Sequence, residues 1–79
     1  MNIELERLGK ITQGQRPGCF LMIARDDEAD GYFLNVYAWN DSRSEPLLAE
    51  WFPGLEAIHY YARDMDWDVD WLINQKATD

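Results

Sequence analysis

The segment Asp26-Asp27-Glu28-Ala29-Asp30-Gly31 constrains this chain more than any other. It is a charged turn set between two β-prone runs, Cys19–Arg25 and Tyr32–Trp39. Asp-Gly is a strong hairpin signal, because Gly accepts positive φ without a Cβ clash. Cys19–Arg25 is apolar on both faces until its terminal charge, which is the pattern of a central strand. Tyr32–Trp39 alternates instead. Tyr32, Leu34, Val36 and Ala38 line one face, and Phe33, Asn35, Tyr37 and Trp39 the other.

The polar stretch Asn40–Pro46 predicts a loop, and Leu47–Phe52 a third strand of a meander. Pro53-Gly54 breaks that strand. From Leu55 to Met65 the apolar residues Leu55, Ile58, Ala62 and Met65 recur on one helical face. Glu56 then falls in the first turn, where it complements the helix dipole. Upstream, Ile3–Leu8 reads as a strand, although Leu5, Leu8 and Ile11 also fit a helical face, and Thr12–Gly18 reads as a loop. Downstream, Asp64–Asp70 alternates Asp with Met65, Trp67 and Val69, which predicts an extended segment and an added edge strand. The four-residue spacing of Trp67 and Trp71 would also suit a continued helix. Asn74–Asp79 reads as a frayed tail.

The expected fold is α+β, an antiparallel three- to four-stranded meander with one α-helix packed on one face. The order is β-β-β-β-α, with or without a short final strand. A single domain spans 1–79: strand and loop over 1–18, the β-meander over 19–52, the helix over 54–65, then an extended segment and tail over 66–79. A chain of 79 residues buries only about 60–65% of its unfolded surface. At 47% hydrophobic and 14% aromatic, it has the apolar content that disordered acidic chains lack.

Charge narrows the partners. The net charge is −8 and the pI about 4.3. Arg7, Lys10, Arg16 and Arg25 outnumber Glu4 and Glu6 in residues 1–25, so the acidity lies in residues 26–79. Such a field repels nucleic-acid phosphates and anionic lipid and attracts basic proteins and cations. It also serves plain solubility. The lone Cys19 allows no internal disulfide, which favours a reducing compartment. Met1–Arg7 lacks signal-peptide character, and the longest apolar run, Cys19–Ala24, is far short of the roughly 20 residues that span a bilayer. A cytoplasmic protein with neither membrane nor direct nucleic-acid partners is expected.

Asp64, Asp66, Asp68 and Asp70 are the most distinctive chemical feature. On an extended chain they share one side, roughly 7 Å apart. That row suits a docking stripe for Lys and Arg of a basic partner, with Trp67 and Trp71 as aromatic anchors. The plainer reading is a solvated edge that blocks strand-to-strand aggregation, with both Trp residues in the core. The second candidate interface is Phe33, Tyr37 and Trp39, exposed if the helix covers the opposite sheet face and suited to a homodimer. The N-terminal segment folded over these aromatics is the alternative.

A divalent-cation site is the rival reading. Asp26, Glu28 and Asp30 precede Gly31 as in a calcium loop, but Tyr37 stands where the closing Glu belongs. Starting instead from Asp64, Val69 and Gln75 occupy the Gly and Glu positions. Cys19 and His59 are too few for zinc, and neither a nucleophile elbow nor a phosphate loop is present. No cofactor is expected. The functional expectation is a small acidic non-catalytic protein that binds, and inhibits, a basic partner protein, including by nucleic-acid mimicry. In size, charge and element order it resembles immunity proteins and nuclease inhibitors, an analogy that no motif supports.

Overall fold

The structure, a computed structural model, describes residues 1–71. The expected tail Asn74–Asp79 lies outside the described residues. Five strands, β1 (Gly9–Gln13), β2 (Phe20–Asp26), β3 (Gly31–Tyr37), β4 (Leu48–Phe52) and β5 (Asp68–Trp71), form one antiparallel sheet in the order β4-β3-β2-β1-β5. One helix, α1 (Leu55–Asp64), lies between β4 and β5 in the chain. Among the described residues the fold is α+β with one helix, as expected, but with five strands rather than three to four. The first four strands run as a meander, and α1 carries the chain from one edge of the sheet to the other.

The hairpin of β2 and β3 is the spine, paired without slippage from Phe20↔Tyr37 to Asp26↔Gly31. Its turn differs from expectation in one respect. Asp30, not Gly31, takes the positive φ, at 50°, a region that Asp tolerates better than most residues. Gly31 instead opens β3 beneath the Trp51 indole, where a Cβ would lie 2.2 Å from the ring.

The inner sheet face meets α1. Ile11, Leu21, Ile23, Leu34 and Val36 are fully buried and cluster with Ile58, Ala62 and Trp67. Each such aliphatic side chain contributes about 1.5–3 kcal/mol relative to exposure. The α1 face reads as expected: Ile58 and Ala62 are buried, and Leu55 and Met65 pack partly against the core. Gly9 permits the last strand to close on this face, since a Cβ there would meet Val69 at 2.6 Å and Trp71 at 2.7 Å.

Three expectations are corrected. Ile3–Leu8 is not a strand. It makes only an isolated parallel bridge, Leu5↔Ile23, and the strand is Gly9–Gln13. Thr12 and Gln13, assigned to a loop, extend that strand because β5 pairs along its outer side, Gln13 opposite Asp68. The extended segment expected from residue 66 begins only at Asp68. Asp66 takes φ 58°, its N–H donates to the Arg63 carbonyl, and the Trp67 N–H donates to the Ala62 carbonyl. These two bonds form a Schellman helix ending, with Asp66 in the left-handed position that usually holds Gly.

Candidate protein-docking face

The acidic row is not one row. Asp64 ends α1, Asp66 belongs to the helix ending, and only Asp68 and Asp70 lie on β5. All four are exposed, but the helix ending turns the chain before the strand begins. Nor do the Trp residues flank the acids as free anchors. Trp67 is 7% exposed and donates its Nε1–H to the Gln15 carbonyl at 2.7 Å. That loop is clasped to the helix end a second time, by the Gln15 N–H to the Met65 carbonyl. Trp71 packs partly against the core and donates to the Asn2 carbonyl.

Register places Asp70 opposite Lys10, and Lys10 opposite Phe20. Phe20 faces Tyr37, Ala24 faces Phe33, and Phe33 faces Trp51. Because alternate residues share a face, Asp68 and Asp70 lie on the same outer face as Phe33. Both surfaces that the sequence presented separately therefore share the face opposite the helix. The aromatic half spans β4, β3 and β2, and the acidic pair stands on β5, about 14 Å from β3 at ordinary strand spacing. Lys10 bridges the two halves, its Nζ 6.0 Å from the Phe20 ring centroid.

The aromatic half is open. Phe33 is 42% exposed, Trp51 43% and Leu47 50%, and Trp39, two residues past β3, is 69% exposed. Tyr37 is the exception and corrects the sequence reading: at 4% exposure it is buried, and its hydroxyl accepts from Asn35 Nδ2 at 3.1 Å. It ends a strand with a neighbour on each side, Phe20 being its cross-strand partner. The N-terminal segment does not cover this face. It runs beside β2, with the Glu6 N–H donating to the Ile23 carbonyl, and its Met1 lines a hollow against α1.

Trp51 is the residue the sequence reading missed. Its ring rests on Gly31, and its Nε1–H donates to Asp26 Oδ2 at 3.1 Å. The alternation of Leu47, Ala49 and Trp51 carried a signal, but Leu48 and Phe52 made the opposite face look equally apolar.

Among the described residues, no group of three or more His, Cys, Asp or Glu side chains is arranged to hold a metal ion. Asp26, Glu28 and Asp30, the residues of the calcium-loop reading, form no such group. Asp26 Oδ1 accepts from the Glu28 N–H while Oδ2 holds Trp51, so the loop is closed by its own bonds. His59 is exposed on α1 and lines the hollow with Met1, Ala62, Arg63, Asp66 and Trp67, a set without a Ser, Thr or Cys nucleophile. Cys19 packs partly against the core. No described helix is long and apolar enough to cross a membrane. The chain matches no family model, no curated protein and no solved structure, so function rests on site geometry alone.

Proposed function

We propose that this protein is a non-catalytic binding domain that docks a basic protein through the outer face of its sheet. The observation that supports this most is the open aromatic pair Phe33 and Trp51, on the face that the helix leaves uncovered, with Trp39 exposed just past the end of β3. Exposed apolar patches of this kind mark interaction sites, and Trp beside complementary charge is favoured at binding hot spots. Asp68 and Asp70 at the far edge, within a net charge of −8, steer a basic partner and set orientation. Binding and inhibition of that partner, with carboxylates standing in for phosphates, is the form this reading takes. The sequence-derived site is thereby revised: Asp68 and Asp70 remain, Trp67 and Trp71 become structural, and Trp51 joins Phe33 and Trp39.

The test is capture from native lysate at low salt, with two variants beside the unmodified chain. The unmodified chain is expected to retain a basic protein that elutes as salt rises. Phe33→Ser with Trp39→Ser is expected to lose it, and Asp68→Asn with Asp70→Asn to weaken capture and flatten its salt dependence. Retention undiminished by the aromatic pair would reject the reading.

A further inference from the structure

The two edges of the sheet are not alike. At β5 the edge carries exposed Asp68 and Asp70 and meets β1 with a register shift between Ile11 and Gln13. Short length, inward or flanking charge and irregular register are the devices by which proteins blunt an edge against strand pairing. β4 carries one exposed charge of its own, Glu50, and shows no register shift. Five consecutive residues pair evenly with β3, from Tyr32↔Phe52 to Val36↔Leu48. Ala49, Glu50 and Trp51 are exposed in succession, on both faces of the strand. No Pro interrupts it, although Pro46 and Pro53 bound it on either side.

We infer that β4 is an acceptor edge, which adds an extended segment of the basic partner as a sixth strand. This deepens the outer-face reading and rests on it for the identity of the partner as a basic protein. Charge selects the occupant. The C-terminal end of β4 adjoins the β2–β3 turn, with Asp27, Glu28 and Asp30 exposed, and Glu56 follows in the first turn of α1. Among the described residues the ion pairs are Arg7 with Glu4 and Arg43 with Asp41, so these four carboxylates and Glu50 have none. Arg25, the cation on β2 next to that turn, lies over the Tyr32 ring instead.

A second copy of the chain is a poor occupant. Symmetric antiparallel pairing centred on β4 sets Glu50 against Glu50, and like charges directly opposite destabilise a strand pair. The favoured segment alternates. Apolar side chains fall beside Ala49 and Trp51 on the outer face, extending its aromatic surface, and Lys or Arg falls beside Glu50 on the other. Main-chain hydrogen bonds supply affinity and the alternation supplies specificity, as in other strand-addition complexes.

The probe is a capped seven-residue peptide of alternating Lys and Val, titrated into the full chain while backbone amide shifts are followed. Shifts at Leu48–Phe52, with slowed amide exchange there, are expected. N-methylation of alternate peptide nitrogens is expected to weaken binding about tenfold or more, and Glu50→Lys to weaken it several-fold in a chain of unchanged melting temperature. Shifts confined to Met22, Phe33 and Asn35, and indifferent to N-methylation, would overturn strand addition and leave the outer-face reading standing. Edge shifts unaffected by Phe33→Ser, together with undiminished lysate capture by the aromatic variant, would uphold strand addition and remove the outer-face reading. A Glu/Val peptide binding equally well, or no shift at about 1 mM Lys/Val peptide, would overturn the proposal, as would a concentration-dependent dimer that excludes the peptide.

Discussion

The two faces of the sheet are built from the same strands with similar residues, yet one is sealed and the other open. On the inner face Leu21, Ile23, Leu34 and Val36 are fully buried beneath Ile58 and Ala62. On the outer face Phe33 and Trp51 keep over two-fifths of their surface in water. Both carry large apolar side chains. What separates them is one ten-residue helix, long enough to cover one face only. Apolarity along a strand thus says that a surface wants a cover, and the tertiary arrangement decides whether the chain itself provides it.

Truncating the sealed face tests that contrast most severely. Ile23→Ala is expected to destabilise by about 2–5 kcal/mol, measured by urea unfolding. Phe33→Ala removes a larger side chain from the open face and is expected to cost less, about 1 kcal/mol or under. A Phe33→Ala cost equal to that of Ile23→Ala would show that the outer face is covered in solution, and the comparison would break.

The helix ending that supports the seal can be probed next. Asp66 holds a left-handed conformation, so Asp66→Val is expected to destabilise by about 1–2 kcal/mol, and Asp66→Gly to stabilise by about 0.5–1 kcal/mol. Equal melting temperatures for the two variants would remove the Schellman account of why Asp64–Asp70 is not one strand.

At the pinned aromatic, Gly31→Ala places a Cβ where the Trp51 ring lies. Displacement of the ring breaks its bond to Asp26, and the tryptophan emission is expected to shift red as the indole meets water. Unchanged emission would show that Trp51 is not held on the outer face by Gly31.

The smallest effect is a pH dependence. Burial first, and then Glu50, raise the Tyr61 hydroxyl pKa above its ordinary value, against a smaller opposing effect of Arg16. The folded state therefore keeps the phenol proton more tightly than the unfolded state. The associated stability is present below the ordinary tyrosine pKa and is lost as pH rises through the raised one. Thermal melts from neutral to alkaline pH are expected to decline less steeply for Tyr61→Phe, and a decline as steep as that of the unmodified chain would assign the effect elsewhere.

Much of the architecture was legible because local signals agreed. The β2–β3 hairpin, the alternation of Tyr32–Tyr37 and the face of α1 each repeat one period over enough residues to be read. Asp64–Asp70 was misread because its period of two is real, yet long-range bonds override it at the helix end: the Ala62 carbonyl takes the Trp67 N–H and Gln15 holds the indole. No Gly marks that ending, so the sequence carries no warning. β1 was displaced for a similar reason. Gly9–Gln13 is short and mixed in character, and only β2 on one side and β5 on the other make it a strand.

By itself the sequence determined the α+β character, the hairpin, the helix and an acidic surface, because these depend on periodicity, turn chemistry and charge within short stretches. The tertiary structure alone decided that β5 closes against β1, that Phe33 and Asp70 share a face, and that Trp51 rather than Trp67 is open to solvent. Those outcomes follow from cross-strand register and from which single face one helix can cover, and both are set by residues distant in the chain.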